Sequence, residues 1–166
     1  MKTVVCPGSF DPVTLGHLDI IRRTAAVFDR VIVVVMTNYR KKNTNCFTAE
    51  ERADFIRRCT GDLANVTVDF SDGLLADYAR KVGACAIVKG LRAVSDFEDE
   101  FQQALTNKSL APEVETIFIT TSSEYMFLSS SAVKQVCELG GDISKFVSPE
   151  ILGDIEARIR RTGKTK

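Results

Sequence analysis

The sequence has little of what marks several large classes of protein. It contains one histidine among 166 residues, and its 22 basic and 22 acidic side chains leave no net charge. A chain without net charge has no overall field that attracts nucleic acid or an anionic membrane, so we expect neither as a partner. No apolar run reaches the length of a membrane span, and no apolar segment near the first residue is typical of a signal peptide. We therefore expect a cytoplasmic protein.

The cysteines give no sign of a disulfide framework or a metal site. They are odd in number and form no Cys-x-x-Cys pair: Cys6, Cys46, Cys59, Cys85 and Cys137. Because the chain has a single histidine, these thiols offer no ligand set at the spacing that zinc requires. We expect free thiols that behave as small buried apolar residues in a reducing compartment.

Three common functional motifs are also missing. No Gly-x-Gly-x-x-Gly follows the first apolar run, which argues against a dinucleotide-dependent dehydrogenase. No Gly-x-Ser-x-Gly turn is present, which argues against a serine hydrolase. The run Gly163-Lys164-Thr165 is similar to the end of a Walker loop, but Arg158 stands where that loop needs its first glycine.

Short apolar runs alternate with amphipathic stretches along the whole chain. The runs are rich in β-branched residues and predict strands at 3–6, 31–36, 66–70, 84–88 and 116–119, buried on both faces of a parallel sheet. Helical patterns follow His17, begin at Thr48, cover 74–82, 96–107 and 130–139, and begin again at Pro149. The alternation predicts one α/β domain over residues 1–166 with a doubly wound, five-stranded parallel sheet. Ligands of such sheets lie beyond the carboxyl ends of the strands.

The loop after the first strand has the composition of an anion site. It reads Pro7-Gly8-Ser9-Phe10-Asp11-Pro12-Val13-Thr14-Leu15-Gly16-His17, and a helical pattern follows. Backbone N–H groups at a helix start have no internal partners and attract anions. Gly16 would let a phosphate approach the backbone, and His17 would add a donor that can carry charge near neutral pH. The alternative is that His17 only caps the helix or fills a polar niche.

Three more segments that follow predicted strands are suited to phosphate. They are Arg40-Lys41-Lys42, the stretch from Lys89 to Arg92, and Ser129-Ser130-Ser131 at the start of a helix. Arginine offers a bidentate fork and lysine a point charge. Each segment alone is a weak signal, since a basic triplet is commonly a solvated surface and a serine run commonly only a cap.

Together these segments resemble a known family. Thr14-Leu15-Gly16-His17 resembles the (His/Thr)-x-Gly-His signature of the nucleotidylyltransferase superfamily, whose fold is Rossmann-like. The strings GSFDPVTLGH, KGLRAVSDFE and SSSAVK resemble, in the expected order, three motifs of the phosphopantetheine adenylyltransferase family. The resemblance implies transfer of an adenylyl group from ATP to 4′-phosphopantetheine, which gives dephospho-coenzyme A and pyrophosphate. It also implies Mg²⁺ as cofactor, a homohexamer, and coenzyme A as a feedback ligand.

The resemblance further implies a role for particular residues. Those expected to act on the reacting phosphates are His17, Lys41 and Arg92, with Lys42 as the alternative to Lys41 because this loop is longer than the common form. The residues expected to bind the acceptor are Ser9, Lys41, Leu74, Leu75, Lys89 and Asn107. Those expected to bind ATP are Ser9, Phe10, His17, Gly90, Arg92, Glu100, Ser129, Ser130 and Ser131. Metal ligands are not indicated, and the two leucines could equally be helix core.

Two residues depart from the family pattern, and several alternatives stay open. Asp99 stands where the family commonly has an aromatic residue, and Gln135 where it often has glutamate. Nicotinate mononucleotide or glycerol phosphate could replace the acceptor, although the stretch 89–98 argues against this. The chain could also be a non-catalytic sensor of ATP or coenzyme A, against which His17 and the basic clusters argue. A flavodoxin-like electron carrier would show the same alternation of strands and helices.

Overall fold

The computed structural model describes residues 1–37 and 45–163, where strands and helices alternate as the sequence predicts. The strands are β1 (Thr3–Gly8), β2 (Arg30–Met36), β3 (Val66–Ser71), β4 (Ala86–Leu91) and β5 (Glu115–Thr120). The helices are α1 (Leu15–Ala25), α2 (Ala49–Cys59), α3 (Leu75–Lys81), α4 (Val94–Leu110), α5 (Ser130–Glu138) and α6 (Pro149–Gly163). A short 3₁₀ turn at Ser123–Tyr125 precedes α5.

The five strands form one parallel sheet in the order β3-β2-β1-β4-β5. Val4 of β1 lies opposite Val31 on one side and Ala86 on the other. The chain therefore winds outward from β1 in both directions, and the order reverses between β1 and β4. This confirms the predicted doubly wound, Rossmann-like fold and places its switch point at the two strands that carry the suspected loops.

Apolar side chains of the central strands fill two layers, one on each face of the sheet. In β2, Val31, Val33 and Val35 belong to the larger core cluster, which includes Ile151 and Ile155 of α6. The intervening residues of β2 point to the opposite face, because side chains alternate along a strand, and they join a smaller cluster with Ala76 and Ala79 of α3. Consecutive β-branched residues thus satisfy both layers at once.

The edge strands differ from the prediction. The central strands are buried, but exposure alternates along β3 and β5, where Phe70 and Ile117 remain 43% and 37% exposed. The expectation that all five strands are buried on both faces is therefore wrong for these two. The sequence pattern misleads because an edge strand keeps its β-branched composition even when one face is only partly covered.

The cysteines are free thiols, as predicted. Cys6, Cys59 and Cys137 are buried and Cys46 is half-buried. The expectation of burial is wrong for Cys85, which is exposed and donates from Sγ to the carbonyl oxygen of Thr3 at 3.3 Å.

Among the helices of the described ranges, none is long and apolar enough to cross a bilayer.

Candidate active site

A cavity of about 700 Å³ opens at the carboxyl edge of the sheet, at the switch point between β1 and β4. Three of the predicted loops meet there: the loop after β1, the end of β4 with the start of α4, and the segment between β5 and α5. The predicted site residues that line the cavity are Ser9, Phe10, His17, Leu75, Lys89, Gly90, Arg92, Glu100, Ser129, Ser130 and Ser131. The fold thus gathers residues that lie more than a hundred positions apart.

Other predicted residues are not brought into this cavity. Leu74, the N-cap residue of α3, is 58% exposed, and Asn107 lies near the far end of α4. Neither is among the lining residues, whereas Asp99 is. Gln135 is exposed on α5 and also outside the lining. Lys41 and Lys42 lie outside the described residues, so their predicted roles stay predictions.

The loop after β1 turns tightly around one aromatic ring. Phe10 has a φ of 49°, in the left-handed region that few residues other than glycine adopt. Its ring lies over Gly8, where an added Cβ would come within 2.7 Å of the Phe10 Cζ atom. The same ring meets the imidazole of His17 edge-on, with 5.1 Å between centroids. Gly8 is therefore required for the close approach that places Phe10 against His17.

His17 lies inside the first turn of α1, not before the helix as predicted. Thr14 is the N-cap, and its side-chain oxygen accepts a hydrogen bond from the backbone N–H of His17. In return, the backbone N–H of Thr14 donates to Nδ1 of His17 at 3.0 Å. This is a capping box in which histidine takes the place usually held by glutamate. Because Nδ1 accepts, the proton of neutral His17 resides on Nε2, which is left to bind a ligand.

His17 is neutral at physiological pH. Burial is the main cause, and the positive charge of Arg92 is the second; together they lower the pKa of His17 from 6.5 to about 4. The expectation that His17 carries charge near neutral pH is therefore wrong. A neutral Nε2–H still donates a hydrogen bond. His17 therefore gives the site a fixed donor without placing another positive charge beside Arg92.

Two cations of the cavity are held in place by neighbouring carboxylates. Arg92, just before α4, pairs with Asp96 in the first turn of that helix at 2.9 Å and donates to the carbonyl oxygen of Leu128 at 3.1 Å. Lys89 pairs with Glu100 and also donates to Gln103 Oε1 at 2.7 Å. The resemblance assigns Glu100 to the adenosine of ATP, whereas the structure places it on Lys89. A phosphate that binds Lys89 must therefore compete with this carboxylate.

The serine run begins α5, and two of its hydroxyl groups already have partners. Ser129 is the N-cap and accepts from the backbone N–H of Ala132 at 3.1 Å. Ser130 donates to the carbonyl oxygen of Pro12 at 2.7 Å, which ties α5 to the loop after β1. All three serines line the cavity. The first backbone N–H groups of a helix have no hydrogen-bond partners within that helix. This end of α5 offers an anion site built mainly from backbone.

The structure adds several residues to the site that sequence reasoning missed. Tyr125 lines the cavity, and an added Cβ on Gly16 would lie 3.2 Å from its Cβ atom. Gly16 is therefore needed for packing as well as for a ligand. Behind the loop, Asp11, Arg52 and Lys134 are charged residues that make contacts far along the chain. In the sequence, nothing distinguishes these three residues except that each is charged and stands beside proline or an apolar residue.

The described residues at the cavity are not grouped as the ligands of a resident metal ion would be. Over residues 1–37 and 45–163, no group of three or more histidine, cysteine or acidic side chains could hold a metal ion. Asp96, Asp99 and Glu100 are the carboxylates that line the cavity, and two of them, Asp96 and Glu100, are paired with Arg92 and Lys89. Because Mg²⁺ commonly keeps several water ligands and binds through phosphates, these residues fit an ion that arrives with a nucleotide.

The sequence is similar to those of known proteins over most of its length. The cytidylyltransferase-like family model matches residues 5–136. The phosphopantetheine adenylyltransferase of Rubrobacter xylanophilus is 54% identical over 152 residues, which cover 92% of each chain. That of Heliobacterium modesticaldum is 51% identical over 166 residues, covering 100% of this chain and 98% of its own.

A comparison of structures bears on the fold alone. A bifunctional NMN adenylyltransferase/ADP-ribose pyrophosphatase from Francisella tularensis superposes with a TM-score of 0.70 at 19% identity, over 99% of this chain and 50% of that one.

Three findings identify the family: the doubly wound sheet, the motifs at its switch point and the full-length similarity to curated relatives. This chain belongs to the phosphopantetheine adenylyltransferase family of nucleotidyltransferases.

Proposed function

We infer that this chain transfers the adenylyl group of ATP to 4′-phosphopantetheine, with dephospho-coenzyme A and pyrophosphate as products, the penultimate step of coenzyme A biosynthesis. The observation that carries the inference is the single cavity that joins His17, the Lys89–Arg92 stretch and the serine end of α5. Relatives with this named activity share about half of the sequence over nearly its whole length.

The reaction sets two requirements that these residues can meet. A phosphate oxygen of the acceptor forms a bond to the α-phosphorus of ATP, and the bond from that phosphorus to the bridging oxygen breaks with its electron pair leaving on pyrophosphate. The nucleophile is already an anion, so no general base is needed. The enzyme must instead hold two repelling anions in line and stabilise the charge that builds during transfer.

The described residues divide this work by position. Lys89 binds the phosphate of phosphopantetheine after exchanging its contact with Glu100. Arg92 and the N-terminal end of α5 bind the phosphates of ATP. His17 donates from Nε2 to an oxygen of the α-phosphate as charge builds there. A His17→Ala chain that kept near-normal turnover would contradict that role.

The remaining expectations extend this proposal. Mg²⁺ bound to ATP would screen the charge of the phosphates, and Arg92 with the N-terminal end of α5 would hold the phosphates of that complex. Lys41, or Lys42, adds positive charge to the transferring phosphates. Coenzyme A resembles the product, so it competes for the same cavity as a feedback ligand. The protein acts in the cytoplasm as a homohexamer.

Release of pyrophosphate from Mg·ATP tests the function. The purified protein is given phosphopantetheine, nicotinate mononucleotide or glycerol phosphate in separate reactions, and products are identified by mass. We expect release only with phosphopantetheine, together with dephospho-coenzyme A. Release with another acceptor would keep the superfamily and overturn the acceptor. Binding of ATP with no release from any mixture would favour a sensor.

A further inference from the structure

A buried arginine contacts the loop after β1 from outside the cavity. Arg52 of α2 is 2% exposed, and its Nη1 donates to the carbonyl oxygen of Ser9 at 2.7 Å. Its Nε donates to the carbonyl oxygen of Thr48, the N-cap of the same helix, at 3.2 Å. Ser9 lines the cavity, but Arg52 does not. Arg52 therefore acts on a bound ligand only through the loop that it holds.

The charge of Arg52 makes its contact with the loop a strong one. Burial is the main influence on this guanidinium and lowers its pKa, while the carboxylates of Asp11 and Glu50 oppose that effect. An arginine in a protein nevertheless stays charged. Hydrogen bonds from a charged donor are shorter and about twice as strong as those between neutral groups. Arg52 therefore holds the carbonyl group of Ser9 more firmly than a water molecule or a backbone N–H would.

This contact fixes the orientation of the peptide group between Ser9 and Phe10. The peptide is trans, so its carbonyl oxygen and its N–H point in opposite directions. The oxygen is turned towards Arg52, and the N–H of Phe10 therefore points to the other side of the loop, where Ser9 and Phe10 line the cavity. Within residues 1–37 and 45–163, this N–H has no backbone acceptor. It is available to a ligand in the cavity.

The backbone at Phe10 needs such support from its surroundings. Its φ of 49° is unfavourable for a residue with a side chain and persists only where neighbouring groups enforce it. On one side of Phe10, Arg52 holds Ser9. On the other side, Lys134 of α5 holds Asp11, with Nζ 3.0 Å from Oδ2. Phe10 thus lies between two residues that are each fixed by a buried or half-buried cation.

We propose that Arg52 is a positioning residue that holds the Ser9–Phe10 peptide so that the backbone N–H of Phe10 faces the phosphates of a nucleotide in the cavity. The inference rests on the proposed function, which places phosphates beside this loop. A donor that is oriented before binding stabilises charge on a phosphate oxygen without reorganisation. The same peptide carries the Phe10 ring to His17, with 5.1 Å between the ring centroids. Loss of Arg52 should therefore disturb both groups.

NMR of the free protein tests the hold on the loop without a substrate. The Phe10 ring contacts the single histidine of the chain, so the ring-proton resonances of His17 report whether Phe10 keeps its place. In Arg52→Met, these resonances should move towards those of a solvated histidine. The matched control is Arg57→Met, because Arg57 is an exposed residue of the same helix that donates to the carbonyl oxygen of Val68 at 3.3 Å. Unchanged His17 resonances in Arg52→Met would overturn the proposal.

Binding of α,β-methylene ATP tests the N–H group itself. In the unaltered protein and in Arg57→Met, the amide proton of Phe10 should shift downfield on saturation, because it donates to a charged oxygen. In Arg52→Met this shift should be largely lost. Arg52→Lys keeps a charged donor, so it should retain part of the shift, and it carries the test if the methionine variant does not fold. A Phe10 amide that does not respond in the unaltered protein, while other cavity resonances do, would overturn the proposal.

Turnover separates positioning from a general loss of structure. Arg52→Met should lower kcat about 10- to 100-fold, because the donor no longer faces the reacting phosphate. The KM for phosphopantetheine should stay within about threefold, since Lys89 is unchanged. Arg52→Lys should recover part of kcat. An equal loss of kcat in Arg52→Met and Arg57→Met, or a normal Phe10 amide shift in an inactive Arg52→Met, would contradict the proposal.

The proposed function and the role of Arg52 fail in different measurements. An unaltered chain that binds the nucleotide but releases no pyrophosphate with any acceptor would refute the proposed function. The resonances of His17 and the amide proton of Phe10 would still decide whether Arg52 orients the loop, because neither readout requires turnover.

Discussion

His17 shows how one residue gains a chemical property that its type does not have in water. Its Nδ1 is held by the N-cap Thr14, and burial with the nearby charge of Arg92 lowers its pKa to about 4. The unfolded chain therefore binds a proton more readily than the folded chain between pH 6.5 and 4. The contribution of His17 to stability is complete above pH 6.5 and is lost as the pH falls towards 4.

A titration of this residue by NMR is unambiguous, because the chain has no other histidine. We expect the ring proton shifts to give a midpoint well below 6.5, near 4, in the free protein. Arg92→Met should move the midpoint upward, since it removes the second cause of the shift. A midpoint at or above 6.5 would mean that the imidazole is solvated and charged in the way the sequence alone suggested.

Substitution of Lys89 tests which of the two substrates this residue binds. Lys89→Gln should raise the KM for phosphopantetheine about 10- to 100-fold and change the KM for ATP little, because one charged contact to phosphate is lost. The matched control is Lys108→Gln in the last turn of α4, where Lys108 pairs with Glu115 at an exposed position. Steady-state kinetics with each substrate varied in turn decides this. A rise confined to ATP would assign Lys89 to the other substrate.

Residues of the site were predictable where a local motif carried them. His17, Gly90, Arg92 and the serine run all lie at the cavity that their motifs indicated. Asp11 and Lys134 were missed because their pairing joins residues 123 positions apart, and neither has a local pattern that reveals its partner. The pKa of His17 was missed for the same reason, since burial and Arg92 are properties of the folded chain.

At the scale of single elements, two helices begin with the same device but serve different ends. Thr14 and Thr48 are both N-caps in a capping box. The third helical residue is His17 in α1 and Glu51 in α2. The first box therefore orients a proposed catalytic donor, while the second only stabilises its helix. Loss of either cap should cost about 1 kcal/mol of unfolding free energy.

Alanine at each cap separates these two roles. Thr14→Ala and Thr48→Ala should each lower Tm by about 2–4 °C, as a loss of 1 kcal/mol does in a chain of this size. Only Thr14→Ala should also lower kcat, by about tenfold, because His17 loses part of the contact that orients its ring. Calorimetry and turnover measured on the same preparations check this. Equal turnover in the two variants would contradict an orienting role for Thr14.

Elements were predictable in kind and order, but their ends were not. The apolar run placed the fourth strand at 84–88, whereas β4 is Ala86–Leu91 and includes Lys89 and Gly90. β1 likewise extends to Gly8. The hydrophobic pattern ends where side chains become functional, but the backbone ladder continues beyond that point, as the pairing of Gly90 with Ile119 shows. This continuation holds the polar residues at the edge of the sheet.

On the surface of the whole molecule, helix α4 carries a stripe of exposed apolar side chains. Phe97, Phe101 and Leu105 lie four residues apart and are 45%, 47% and 57% exposed, and the two rings stack at 5.4 Å. Such a patch on a single chain is typical of an interaction surface. It supports the proposed homohexamer, in which further copies of the chain would cover it.

Light scattering tests the assembly. We expect a molar mass about six times that of the 18.3 kDa chain, and we expect Leu105→Glu to lower it by placing a charge in an apolar interface. The control is Val27→Glu, since Val27 is also an exposed apolar residue, at 74%, but lies in the turn after α1. A mass of one chain, or no change in Leu105→Glu, would contradict the assembly or its surface.

We propose that the adenylyl group moves in one displacement, because the described cavity residues offer hydrogen-bond donors and positive charge to the phosphates. The stereochemical course at the α-phosphorus tests it most directly. The protein is given an α-thio analogue of ATP of one configuration, and the configuration of the thio-substituted product is determined. Inversion is predicted, because the phosphate of phosphopantetheine attacks the α-phosphorus opposite the departing pyrophosphate. Retention would require two displacements through an adenylylated residue and would contradict direct transfer to phosphopantetheine.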